Sequence, residues 1–164
     1  TLERLMAMPM EKLDLLVGYG IAFAAVAGVQ ATIVSLVAFG LLDLHTDGPR
    51  GLIVVLAVTN AVLGMSLGLF LSAFARTEFQ AVQFMPAFVF PQILLCGLIV
   101  PRDQMARLLE LVSAFLPLTY AYDALHRVGD DVIDARLALD VAIVLAVTLL
   151  ALALGAATLR RQTS

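Results

Sequence analysis

The sequence predicts an all-α integral membrane fold with four transmembrane helices, and three observations carry that prediction. Hydrophobic residues fill 62% of the 164 positions and charged residues 14%, with a mean hydropathy of +1.00. That is more apolar surface than a water-soluble fold can hide. Residues 16–42, 52–74, 79–100 and 137–159 contain no Lys or Arg, and each is long enough to cross a hydrocarbon core of about 30 Å at about 1.5 Å per helical residue. The alternation of barrel strands is absent, and a backbone in lipid must satisfy its own amides, so these stretches read as helices of one transmembrane domain, residues 1–164.

Composition also excludes function classes. Ten Lys and Arg against 13 Asp and Glu give a net charge of −3, which offers no basic surface for nucleic acid. Cys96 is the single cysteine, so no disulfide forms within the chain and no Cys-based metal cluster is possible. The chain opens at Thr1 on a polar stretch without the pattern of a signal peptide, and the expectation is a piece of a longer protein.

The first span (16–42) is followed by a turn-rich loop containing Asp47, Gly48 and Pro49. The second (52–74) and third (79–100) are joined by Ala75-Arg76-Thr77-Glu78, which makes a tight hairpin. Before the fourth (137–159), Met105, Leu108, Leu109, Val112, Phe115 and Leu116 follow helical spacing, with Asp103 placed to cap the start and Pro117 to end the run. This stretch is too short to span. It reads as an interfacial or re-entrant helix, followed by a second short piece around residues 120–127. Asp140 falls near one end of the fourth span, where its charge is expected to reach the interface. An even number of spans places both termini on one side. Arg4, Lys12, Arg76, Arg160 and Arg161 fall on that side and Arg50, Arg102, Arg107, Arg127 and Arg136 on the other, a tie in number. The first set sits in short segments close to the spans, which assigns that side to the cytoplasm.

The third span has the most unusual chemistry. Pro86 and Pro91 each remove a backbone donor, and Gln80, Gln83 and Gln92 place amides where lipid contact is costly. Such a helix is expected to face protein or water, either as a wall of a translocation path or through packing by its amides. Gly64-Met65-Ser66-Leu67-Gly68 matches the G-x-S-x-G pattern of serine hydrolases. A nucleophile elbow needs a strand-to-helix turn, however, and this stretch sits mid-helix. Gly64 and Gly68 are instead expected to form a small-residue helix contact, joined by Asn60 one turn earlier. His45 and His126 read as loop side chains, Met6, Met8 and Met10 as surface packing, and Asp130, Asp131 and Asp134 as a solvated acidic loop. No metal site is expected.

Three segments carry a resemblance to a known family. Residues 1–9, Thr1-Leu2-Glu3-Arg4-Leu5-Met6-Ala7-Met8-Pro9, resemble the cytoplasmic stretch before the third helix of ABC-2 type permeases of ATP-binding cassette transporters. The run from Pro91 through Gly97 to Pro101 is similar to that family's proline, glycine and proline pattern, and Leu116-Pro117-Leu118-Thr119-Tyr120 to its motif before the last helix.

The resemblance implies the last four helices of a six-helix half-transporter. Residues 1–13 would form an N-terminal cytoplasmic amphipathic helix, the coupling helix, docking on a nucleotide-binding ATPase subunit through Leu2, Glu3, Arg4, Leu5, Met6, Pro9, Glu11 and Lys12. Gln83, Pro86, Pro91, Gln92, Gly97 and Pro101 would mark the path and its hinge. A second permease copy, as homo- or heterodimer, and a bacterial-type plasma membrane complete the implied assembly. The sequence has no G-x-x-x-x-G-K-[ST] phosphate loop, so no cofactor is expected on this chain, and ATP and Mg would sit on the partner. The implied activity is export of a lipid-like or amphipathic compound. A secondary transporter or channel and a non-transporting anchoring subunit are the rival readings. The first lacks charges at mid-depth in the spans, and the second leaves the prolines and amides of the third span unexplained.

Overall fold

A computed structural model describes residues 12–75 and 77–161. The chain forms α1 (Lys12–Gly40), α2 (Arg50–Ser72), α3 (Glu78–Leu95), a 3₁₀ turn (Arg102–Gln104), α4 (Arg107–Ser113), α5 (Pro117–Gly129) and α6 (Ala135–Arg161), with no strand among the described residues. Three helical segments are long and apolar enough to cross a membrane: Gly18–Gly40, Arg50–Ser72 and Ala135–Gly155. They correspond to the predicted spans 16–42, 52–74 and 137–159.

The helix α2 is the centre of the bundle and touches each of the other long helices. Against it α1 runs antiparallel: a Cβ on Gly28 would lie 3.6 Å from Val58, and the Arg50 guanidinium stands 5.6 Å from the centre of the Phe39 ring. α6 runs parallel to α2. Leu56 shares a buried cluster with Leu137, Leu63 shares one with Val144, and Gly155 sits against the Phe70 backbone. The same two clusters take in Ala121, Ala124 and Val128 of α5, so a 13-residue helix is packed along two that are long enough to span.

A sharply bent pair of helices leads into α6. α4 and α5 are bent by 87° across a short break, and only together are they long and apolar enough to cross. Pro117 occupies the first turn of α5 after an extended Leu116, as its missing N–H and fixed φ favour. The bend is held by Thr119 Oγ1 donating to Ser113 O at 2.7 Å and Tyr120 OH donating to Ala114 O at 2.7 Å. Asp103 is not the expected cap: it lies in the 3₁₀ turn, and α4 starts after Ala106 with no side-chain cap.

The third predicted span, 79–100, is shorter than its hydropathy suggested. α3 continues through Pro86 and Pro91, started by Thr77, whose Oγ1 accepts from Gln80 N at 3.1 Å. It stops at Leu95, and its described apolar part is Val82–Leu95. Cys96–Val100 are apolar but not helical, because Gly97 adopts φ +103°, a backbone turn that L side chains rarely take.

The far end of α5 is tied to the α1–α2 loop. Asp47 N and Gly48 N both donate to Gly129 O, at 3.0 and 3.3 Å. A Cβ on Gly48 would overlap the Val128 carbonyl oxygen, so the approach of loop and helix requires glycine there.

Candidate translocation site

Two amides inside the bundle grip α5 from different helices. Asn60 Nδ2, on α2, donates to Ala121 O at 3.2 Å. Gln92, on α3, is 4% exposed; its Nε2 donates to Phe88 O at 3.3 Å and its Oε1 accepts from Leu118 N at 3.4 Å. Leu118 N belongs to the first turn of α5, where a helix has no acceptor of its own, so Gln92 satisfies a donor that would otherwise be stranded in an apolar setting. Around these amides lie two cavities. One of about 140 Å³ is enclosed by α2, α3 and the start of α5, with Leu67, Phe88 and Gln92 in its wall. The other, about 610 Å³, opens between α1 and α2 beside Gln30, Ser35 and Met65.

Asn60, Gly64 and Gly68 border both cavities. No neighbouring segment lies within 4 Å of a Cβ built on Gly64 or Gly68, so the small-residue helix contact expected of them is not made among the described residues, whereas Asn60 does reach another helix, through Ala121 O. The glycines inside helices that meet a neighbouring helix are Gly28 and Gly155. At Gly64 and Gly68 the missing side chains leave space instead.

Of the other expected path residues, Gln83, Pro86 and Pro91 are on exposed faces of α3 and border neither cavity. Gly97 and Pro101 line a third, polar cleft of about 390 Å³ with Arg102, Asp123, His126, Arg127 and Arg136. There Arg102 Nε donates to Ser113 Oγ at 3.1 Å and Arg102 Nη1 to Asp123 Oδ2 at 3.0 Å. Arg127 Nη1 donates to Asp134 Oδ2 at 3.2 Å, while its Nε stands 3.5 Å from Asp140 Oδ2. Asp140 is only 2% exposed. Its charge does not reach the interface as expected, because α5 covers this end of α6 and brings Arg127 to meet it. Asp134 is also more than part of a solvated loop, since its Oδ1 accepts from Leu137 N at 2.9 Å in the first turn of α6. Leu2, Glu3, Arg4, Leu5, Met6, Pro9 and Glu11 fall outside the described residues, as does the side chain of Lys12.

With this geometry in hand, the profile of the ABC-2 type transporter family matches residues 1–128 of the 164. The chain belongs to that family. This ABC-2 permease chain is also 28% identical over 126 residues to "ABC transporter G family member 20" of Dictyostelium discoideum, an alignment covering 77% of this chain and 17% of that protein. The chain therefore spans about a sixth of the curated relative it matches. No solved structure matches it.

In the ABC-2 chain the G-x-S-x-G serine is an ordinary helix residue: Ser66 is fully buried and its hydroxyl donates to Val62 O at 2.7 Å within α2. No group of three or more His, Cys, Asp or Glu able to hold a metal occurs among the described residues. His126 Nδ1 lies 3.0 Å from Asp130 instead. The Arg102–Asp123 and Arg127–Asp140 pairs were not foreseen. Their signal in the sequence was slight: a single acid inside an apolar run, and two arginines placed among polar residues of short connections.

Proposed function

We propose that this chain is the membrane-spanning permease part of an ABC exporter, moving a lipid-like or amphipathic compound while a separate nucleotide-binding subunit binds ATP and Mg and hydrolyses the nucleotide. Family membership supports the transporter class. The observation that carries the finer reading is the pair of cavities at Asn60, Gly64 and Gly68: apolar walls with a few amides suit a substrate that is part hydrocarbon and part polar. Such cargo enters sideways from the bilayer through a groove between helices, which the opening between α1 and α2 provides. In this reading α3 and the residues after Leu95 complete a fourth crossing, both ends of the chain lie on the cytoplasmic side of a plasma membrane, and a second permease copy faces the exposed side of α3, including Gln83, Pro86 and Pro91. Residues 1–13 form the coupling helix that transmits closure of the ATPase subunits.

The test is affinity purification of the full-length permease in mild detergent, followed by ATPase measurement with and without Glu3→Ala, Arg4→Ala and Leu5→Ala. Co-purification of an ATPase whose stimulation by the permease falls in the variants is the expected result. A permease that captures no ATPase would sink the exporter reading and favour a channel, a secondary transporter or an anchoring subunit.

A further inference from the structure

The polar cleft beside α5 has no part in the translocation path proposed above, and its composition points to a ligand. Arg102, Arg127 and Arg136 converge on it, accompanied by His126 and opposed there by Asp103 and Asp123. Of the acids outside the lining, Asp134 and Asp140 are engaged by Arg127 and Asp130 by His126. Arg102 spends its Nε and one Nη1 hydrogen on Ser113 and Asp123, and a guanidinium carries five N–H donors, so donors remain. Arg136 has no carboxylate within ion-pair distance among the described residues. Exposed apolar side chains flank the lining residues in sequence: Leu98, Ile99 and Val100 lie between Gly97 and Pro101, and Val132 and Ile133 precede Arg136.

Two half-buried arginines, Arg102 and Arg127, and an exposed one, Arg136, beside exposed aliphatic residues at the end of a membrane bundle match a phosphate that arrives attached to a hydrocarbon chain. We propose that this cleft binds the phosphate of an anionic glycerophospholipid headgroup, with Arg136 as its principal charge partner, unspent donors of Arg102 and Arg127 beside it, and Ile99 and Ile133 against the acyl region. The cleft's volume of about 390 Å³ accommodates a phosphoglycerol group. The site is independent of which compound the permease carries.

The experiment is native mass spectrometry of the full-length permease in detergent, titrated with phosphatidylglycerol, phosphatidylcholine or soluble glycerol 3-phosphate. Phosphatidylglycerol is expected to bind more tightly than phosphatidylcholine. Arg136→Gln should weaken it about tenfold, the scale of one lost charge-assisted hydrogen bond. Arg107→Gln, which alters an arginine that does not line the cleft, serves as the control and should leave binding unchanged. Ile133→Glu should weaken the lipid without abolishing binding of glycerol 3-phosphate, which checks the apolar rim with a variant that spares the arginines. If glycerol 3-phosphate binds as tightly as the lipid and is lost in Arg136→Gln, the phosphate site stands and its source is a soluble anion. Equal affinity for both lipids, or phosphatidylglycerol binding unmoved by Arg136→Gln in a variant that keeps its helicity and elution volume, overturns the proposal.

Discussion

Arg102 and Asp123 meet at 3.0 Å beside the bent α4–α5 hairpin, joining the turn that follows α3 to the middle of α5. Because Arg102 also donates to Ser113, one side chain binds both limbs of the 87° bend. The Arg102 side chain is 28% exposed and that of Asp123 26%, so water screens the pair only in part.

Removing either partner should therefore loosen the hairpin. Arg102→Ala and Asp123→Ala are each expected to cost about 1.5–3 kcal/mol, the range for hydrogen bonds to charged groups. A double-mutant cycle followed by thermal unfolding in detergent should return a coupling of at least about 1 kcal/mol. Additive single losses would show that the two side chains are neighbours without being partners.

The Arg127–Asp140 pair should behave differently, because Asp140 is nearly sealed from solvent. Losing Arg127 leaves a buried carboxylate without its cation, a change that typically costs about 3–5 kcal/mol. Arg127 is about a third exposed, which places the expected loss for Arg127→Met near ~3 kcal/mol. Adding Asp140→Leu should restore most of it, since an apolar pair of similar volume needs no compensation. Unfolding of the three variants in mixed micelles gives the comparison. A double variant no more stable than Arg127→Met would mean that the acid matters for a reason other than its charge.

Two kinds of glycine can be separated by the same substitution. At Gly97, alanine would hold φ +103° under strain and bring its Cβ to 3.4 Å from Tyr122 Cε1, so a loss of about 1–3 kcal/mol is expected. At Gly64 the Cβ enters open space inside a helix, and alanine should add about 0.5–1 kcal/mol. Melting temperatures of Gly97→Ala and Gly64→Ala should move in opposite directions. A loss of stability in Gly64→Ala, together with a lower dimer fraction on size exclusion, would place a second copy against that glycine.

Hydropathy made α1, α2 and α6 legible, because a bilayer imposes length and apolarity together and these helices satisfy both. It overran α3 because residues 96–100 are as apolar as a span, while the change of chain direction depends on the φ angle at Gly97, which hydropathy does not record. The bent α4–α5 pair was legible in outline from Pro117 and the helical spacing of Leu108, Leu109 and Val112, but not where α5 packs. That packing comes from Ala121, Ala124 and Val128 fitting between α2 and α6, a relationship among segments distant in sequence. The same fact explains Asp140: position along α6 suggests an interface, and only the neighbouring α5 makes it interior. Asn60 and Gln92 were recognisable as polar groups in costly places, yet their common partner, the backbone of α5, was not.

That shared partner yields a final prediction. Asn60 and Gln92 each satisfy or engage one backbone group of α5, at Ala121 and Leu118. Gln92→Leu should cost about 1–3 kcal/mol, because Leu118 N is left without an acceptor. Asn60→Leu should cost less, since the Ala121 carbonyl sits in the body of α5 where the helix supplies its own donor. If the two amides act as one clamp on the start of α5, the double variant should lose less than the sum, because the helix is already free once either is gone. The transport consequence follows from the cavity of about 140 Å³ that Asn60 and Gln92 both line. With α5 released, substrate-stimulated ATPase of the reconstituted transporter should fall in the single variants while basal ATPase is retained. Gln92→Glu supplies the control, since it keeps an acceptor for Leu118 N and should preserve more of the stimulation than Gln92→Leu. Equal loss in both would assign Gln92 to contact with the substrate, whereas unchanged stimulation in both would remove it from the transport path.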